Sequence, residues 1–219
     1  MQPEIGNLLL REAEKFNLKL REEELEQFQK YLKLIQEYNQ KINLTAIKDE
    51  QGIVVKHFLD SLAGALFLKK GWFVADFGSG MGCPGLALKI ARKDLRMILL
   101  ESKQKKVAFL NLVIRQLGLK NIQTIAQRID HRVFQNVLSE QLDAVLARAF
   151  GRLGQLFSLS APYLRKGGVL IAYKGPKWEG EVKKSEKEQK KFSFKLLDSY
   201  HYQFPFQMGE RFLLVFKKV

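Results

Sequence analysis

Residues 72–85, WFVADFGSGMGCPG, constrain the fold of this chain more than any other stretch. The apolar run Trp72-Phe73-Val74-Ala75 reads as a buried strand that ends at Asp76, and glycines follow at Gly78, Gly80, Gly82 and Gly85. Glycine tolerates positive φ and has no Cβ, so such a loop turns sharply and lets a ligand lie against the backbone. The next residues, LALKIAR, have helical spacing. Strand, glycine loop and helix in that order build the entrance to a nucleotide-type ligand site in an open α/β sheet.

The rest of the chain fits that sheet. Strands are expected at 72–77, 96–101, 121–126, 142–147 and 168–173, with helices at 85–93, 103–117 and 152–165 between them. Alternation at this spacing gives a parallel sheet covered on both faces. The rhythm then changes. KLLDSYHYQF and RFLLVFKKV read as two strands around a turn from Pro205 to Gly209, an antiparallel finish, and 178–191 reads as a solvated helix of mixed charge. Residues 1 to about 50 read as helical, with Leu25, Phe28, Leu32, Ile35 and Tyr38 on one apolar face. They are expected to form a cap, and His57–Leu62 a further helix leading to the glycine loop. Asn121 and Asp130 fit loops flanking the third strand, and Asp143 reads as a turn residue opening the fourth.

A length of 219 residues suits one such domain with an appendage. No apolar run approaches the ~18–20 residues that cross a bilayer, and the early charges of MQPEIGNLLLREAEKF leave no cleavable apolar core. A cytoplasmic location without a membrane partner is expected. The single cysteine, Cys83, excludes an internal disulfide. His57, His131 and His201 lack metal-ligand spacing, so no metal is expected. Ser79 lacks the G-x-S-x-G context of a hydrolase. With 37 Lys plus Arg against 23 Asp plus Glu, the net charge is +14, which favours a polyanionic partner.

Gly80-Met81-Gly82-Cys83-Pro84-Gly85 matches GxGxxG in the right context. Two chemistries use that entrance, hydride transfer from a nicotinamide and methyl transfer from S-adenosylmethionine (SAM). Glu101, closing the second strand, is placed to accept from ribose hydroxyls in either, or to cap the helix beside Lys103, Lys105 and Lys106. Three features favour SAM. Asp76 precedes the glycines, where a carboxylate can meet an ammonium group directly or through water. The chain offers no second domain for a hydride acceptor, and the antiparallel finish suits a methyltransferase sheet. Arg148 and Lys174 fall at strand ends with Asp76, Glu101 and Asp130, where ligand crevices lie.

Taken together the motifs resemble the RsmG (GidB) family, bacterial small-subunit rRNA guanine-N7 methyltransferases. The resemblance rests on Asn43-Leu44-Thr45, His57-Phe58-Leu59-Asp60-Ser61-Leu62, the loop from Asp76 to Gly85, and Glu101-Ser102-x-x-Lys105-Lys106-x-x-Phe109-Leu110. It continues in Arg128-Ile129-Asp130, Arg148-Ala149-Phe150 and Lys174-Gly175. Met81 and Cys83 depart from the usual GSGAGFPG or GSGAGLPG, and Asp130 stands where the family's R-x-E has glutamate.

The resemblance implies a Rossmann-like class I SAM-dependent methyltransferase: a mostly parallel seven-stranded sheet with an antiparallel C-terminal strand. Residues 1–65 would form the helical cap and 66–219 the SAM-binding domain. It implies SAM as cofactor, with Gly78, Cys83, Ile129, Asp130 and Arg148 lining its site and Gly80 supporting the turn; Asp76 and Glu101 are added from the residues themselves. The acceptor implied is a guanine N7 of 16S rRNA, at position 527, in free RNA, a small subunit or an assembly particle, met by a monomer. Lys103, Lys105, Lys106, Lys174 and Lys177 are candidates for phosphate contacts. Base-paired N7 lies in the deep A-form major groove, so an unpaired or opened guanine is expected. An NAD(P)-dependent oxidoreductase and an RNA-binding assembly factor with a degenerate pocket remain the alternatives.

Overall fold

The structure, a computed structural model, describes residues 1–129 and 140–219. Its strands are β1 (Phe73–Phe77), β2 (Arg96–Leu100), β3 (Ile122–Ile125), β4 (Leu142–Arg148), β5 (Leu164–Lys174), β6 (Phe194–Gln203) and β7 (Glu210–Lys218). They form one sheet of order β3-β2-β1-β4-β5-β7-β6, parallel from β3 to β5, with β7 antiparallel to both of its neighbours. The chain winds outward from β1 to β3 and returns to the other side of β1 as β4. The switch point therefore lies between the carboxyl ends of β1 and β4, where such sheets bind ligands.

Alternate strand residues feed two cores. Val74, Met97, Leu99, Ala144, Leu146 and Ile171 face the N-terminal helices, α5 (Gly85–Ala91) and α6 (Gln104–Gln116). Ala75, Ile98, Leu100, Val145, Leu170 and Phe216 face α7 (Leu153–Ser160), through Leu156 and Phe157. Burial on both sides explains the near-continuous apolar runs of β1, β2 and β4.

The N-terminal region is helical but not continuous. α1 (Pro3–Glu14) and α2 (Glu22–Ile42) are separated by a turn in which Asn17 adopts φ 59°. The Arg21 amide donates to Glu24 at 2.9 Å to start α2, and Asn43, left-handed at φ 49°, ends it. Leu8, Leu9 and Ala13 of α1 and Phe28, Tyr31, Leu32 and Ile35 of α2 join the core of the first sheet face. After Asp49 caps α3 (Glu50–Ile53), a π-helical turn (Val54–Leu59), α4 (Asp60–Leu62) and a 3₁₀ turn (Ala63–Phe67) lead to β1.

Two other elements differ from the sequence pattern. The helix expected at 152–165 stops at Ser160 and β5 begins early, because Tyr163 and Leu164 are buried and the Leu142 amide donates to the Tyr163 carbonyl at 2.7 Å. Asp143 lies within β4 rather than in a turn: its carboxylate accepts from the Phe73 amide at 2.8 Å and from Arg165 at 2.7 Å, fixing the start of β1. The mixed-charge segment forms two short helices, α8 (Trp178–Lys184) and α9 (Glu186–Lys191).

Candidate cofactor site at the switch point

The glycine loop is pinned to β2, because the amides of Gly78 and Ser79 donate to the Leu100 carbonyl at 3.0 and 2.9 Å. Gly78, at φ 72°, needs to be glycine twice over, since a Cβ there would sit 2.5 Å from the Phe150 ring. Glu101 accepts from the Gly80 amide at 3.0 Å on one oxygen and from the Lys103 amide at 2.8 Å on the other. It therefore caps the start of α6 and supports the loop at once. Oε1, the Lys103 acceptor, also accepts from the Ser102 hydroxyl at 3.5 Å, whereas Oε2 keeps a lone pair for a further donor.

Two cavities meet at this carboxylate. One, of about 770 Å³, is walled by Gly80, Met81, Cys83, Lys106, Arg148 and Lys174 among others. The other, of about 220 Å³, is walled by Arg128, Ile129, Phe150 and Gln155. Gly78, Glu101 and Gly151 line both. An elongated ligand with hydroxyls near its middle can thus reach both cavities across Glu101, with Ile129 and Phe150 forming an apolar wall for a flat ring.

Asp76 is sealed beneath the loop and lines neither cavity. One oxygen accepts from the Gly85 amide at 2.9 Å; the other is buried with no partner among the described residues. Burial pushes its carboxyl up to about 7, opposed in part by the Gly85 amide. In this arrangement it reaches a ligand only through the loop or an intervening group.

Arg148 is positioned by groups distant in sequence. It donates to the Lys56 carbonyl at 2.9 Å, to the Asp60 carboxylate at 3.1 Å and to His57 Nδ1 at 3.0 Å. Asp60 is fully buried and also receives Arg211 at 2.9 and 3.1 Å and the Tyr202 hydroxyl. Burial works against charge on Arg148, but the Asp60 carboxylate more than offsets it and holds the guanidinium charged. Burial, reinforced by Arg148, pushes His57 down to about 3. With Nδ1 accepting from arginine, the neutral ring donates from Nε2 to Thr45 Oγ1 at 2.8 Å.

Of the candidate residues, Gly78, Gly80, Cys83, Glu101, Ile129 and Arg148 come together around these cavities; Asp130 lies outside the described residues. Lys106 and Lys174 line the larger cavity, whereas Lys103, Lys105 and Lys177 are exposed beyond it. Lys174 is paired with Glu181 at 2.6 Å, its side chain only 11% exposed. Sequence reasoning missed Arg211 and Tyr173, which also line the cavity, and Tyr31, whose hydroxyl donates to the Met81 carbonyl at 2.6 Å and lies 3.7 Å from Cys83 Sγ. Tyr31 sits in a stripe that reads as plain core, and β7 gives no local hint of facing a site.

The family described as GidB, rRNA small subunit methyltransferase G, matches residues 24–207. The chain belongs to this family. A relative named ribosomal RNA small subunit methyltransferase G, from Carboxydothermus hydrogenoformans, is 38% identical over 93% of this chain and 87% of its own length. Family membership makes the chain a methyltransferase, and the fold agrees. A methyltransferase of Pyrococcus furiosus superimposes with a TM-score of 0.60 at 15% identity, covering 85% of this chain and 95% of that one. M. jannaschii TYW2, solved in complex with AdoMet, superimposes with a TM-score of 0.57 at 16% identity, covering 80% of each chain. The sheet is thus the Rossmann-like sheet of class I methyltransferases.

Proposed function

We propose that this chain transfers the methyl group of SAM to N7 of a guanine in 16S rRNA, at position 527. The observation that carries the cofactor assignment is Glu101, held by two backbone amides at the junction of two cavities. The residues fit SAM. The glycine cradle at Gly78 admits no Cβ, Glu101 Oε2 keeps a lone pair for a ribose hydroxyl, and Ile129 and Phe150 offer a wall for adenine. The Glu101 carboxylate, lining both cavities, makes their junction electronegative towards a cationic ligand. Bound there, SAM would supply an electrophilic methyl group.

The residues around the larger cavity support an acceptor that needs no deprotonation. His57 is held neutral with both ring nitrogens engaged, and Cys83 is buried with its thiol pushed up by that burial. Neither is poised as a general base. Guanine N7 carries an in-plane lone pair and needs none. The protein's contribution is then alignment and a fixed electrostatic frame. The Arg148–Asp60 pair, Tyr173 donating to the Ser61 carbonyl at 2.9 Å, and Tyr31 under Met81 hold the walls rigid. The net charge of +14 suits an RNA partner.

The test is methylation of small subunits and of free 16S rRNA from a strain lacking this gene, with labelled SAM. The modified base is then mapped by borohydride reduction and aniline cleavage, which cut at N7-methylguanine. Cleavage at one guanine is expected. Methyl transfer without cleavage would overturn the N7 assignment. Absence of SAM binding, or SAM binding without transfer, would overturn the reading.

A further inference from the structure

The cofactor cavities lie at the carboxyl ends of the parallel strands. At the opposite end, where β1, β2 and β5 begin and β7 finishes, positive charge collects that the reaction described so far does not use. The carboxylates Asp94, Glu140 and Asp143 flank these strand ends, and each is already taken. Arg92 holds Asp94 at 2.8 Å, Arg96 holds Glu140 at 2.7 Å and Arg165 holds Asp143 at 2.7 Å. Lys69, Lys70, Lys166, Lys195 and Lys217 are exposed there and form no ion pair among the described residues.

The cations form one continuous strip. Lys69 and Arg165 both lie over Trp72, each 5.8 Å from its ring centroid. A Cβ on Gly167 would meet Arg165 at 3.4 Å and Lys217 at 3.9 Å, so both side chains converge on the turn that carries Lys166. Lys217 pairs directly with Lys195 across β7 and β6. Like charges facing each other across a ladder repel, and no ion pair relieves these two among the described residues. The strip is also remote from the chemistry. Lys217 lies six residues along β7 from Arg211 of the cofactor cavity, about 20 Å at the rise of a strand.

We infer that this strip is a second RNA contact, which takes phosphates of a segment remote from the acceptor guanine; this rests on the function proposed above. Crowded, uncompensated cations are relieved by phosphates, and the RNA gains the release of its condensed counterions. A protein interface draws on aromatic and apolar anchors and is poor in lysine. Here lysine dominates, and Trp72 is already covered by the strip's own cations. Phosphates about 20 Å from the cavity cannot belong to the nucleotide being methylated. The strip therefore holds a folded RNA whose segments meet both ends of the sheet. Binding of that kind is the same in ground state and transition state, so it lowers KM and leaves kcat alone.

The experiment compares the wild-type chain with a Lys166→Gln, Lys195→Gln, Lys217→Gln triple variant. A second triple variant, Lys30→Gln, Lys33→Gln, Lys187→Gln, removes the same charge from exposed positions elsewhere. Binding to protein-free 16S rRNA and to small subunits is titrated against salt, and KM and kcat are measured for methylation. The strip variant is expected to lower the slope of log K against log salt by about 2 to 3 on both RNAs. Its KM should rise several-fold, while kcat, SAM affinity and melting temperature hold. The second variant should leave the slope within about one of the wild type. An unchanged slope in the strip variant, or equal losses in both variants, overturns the contact. So does a fall in kcat or SAM affinity, and a loss seen on subunits alone would assign the strip to a ribosomal protein instead. A wild-type chain that methylates neither RNA overturns the parent reading, and the slopes then still decide the strip.

Discussion

Replacing Asp76 by asparagine removes a fully buried carboxyl while keeping its shape and an acceptor for the Gly85 amide. Burial raises this carboxyl from 3.8 to about 7, so the folded chain holds the proton more tightly than the unfolded chain does. Stability contributed by this group is therefore fully present below pH 3.8 and is lost as pH rises through about 7. At about 1.4 kcal/mol per pH unit, the whole loss is about 4 kcal/mol, of which about 2.5 falls between pH 5 and 8. Urea unfolding of both proteins across that range reads it directly. The stability of Asp76→Asn relative to the wild type should climb by about 2.5 kcal/mol from pH 5 to 8. Saturating SAM should flatten the climb, because a cation near the loop relieves the buried charge. A difference between the two proteins that stays constant with pH in the absence of ligand would refute the reasoning.

Three further outcomes follow from the site. Glu101→Gln removes a charged acceptor at the cavity junction and should weaken SAM binding by roughly 10- to 150-fold, the worth of one hydrogen bond to a charged group; calorimetry with an unchanged circular-dichroism spectrum checks it. Asp60→Ala strands the Arg148 and Arg211 guanidiniums around a buried position and should cost about 3–5 kcal/mol in urea unfolding. Lys177→Ala should weaken RNA binding and lower the slope of log K against log salt by about one while SAM affinity holds. Unchanged RNA affinity and slope in that variant remove Lys177 from the phosphate-contacting set.

The strand–loop–helix core was legible because its signals are local. Apolar runs, glycine positions and the carboxylate after β2 lie within thirty residues, and the sheet buries them as the pattern requires. What escaped is long-range. Asp60 reads as a polar residue in a short helix, yet it gathers Arg148, Tyr202 and Arg211 from three strands. That one Asp76 oxygen accepts from the Gly85 amide was not legible either, because the contact forms only when the loop closes onto α5. The end of α7 was misjudged because Tyr163 and Leu164 suit either a helix or a strand, and pairing with Leu142 decides it.

The last strand in the sequence, β7, is not an edge but lies between β5 and β6. Synthesis therefore delivers β6 before the neighbour it pairs with, and Arg211 reaches Asp60 only when that neighbour arrives. Until then β6 has no ladder and the Asp60 carboxylate lacks one of its two guanidiniums. A product cut short before residue 210 is missing an interior plank rather than a tail. Such a fragment should be digested by protease more readily than the full chain, rather than persist as a weaker enzyme.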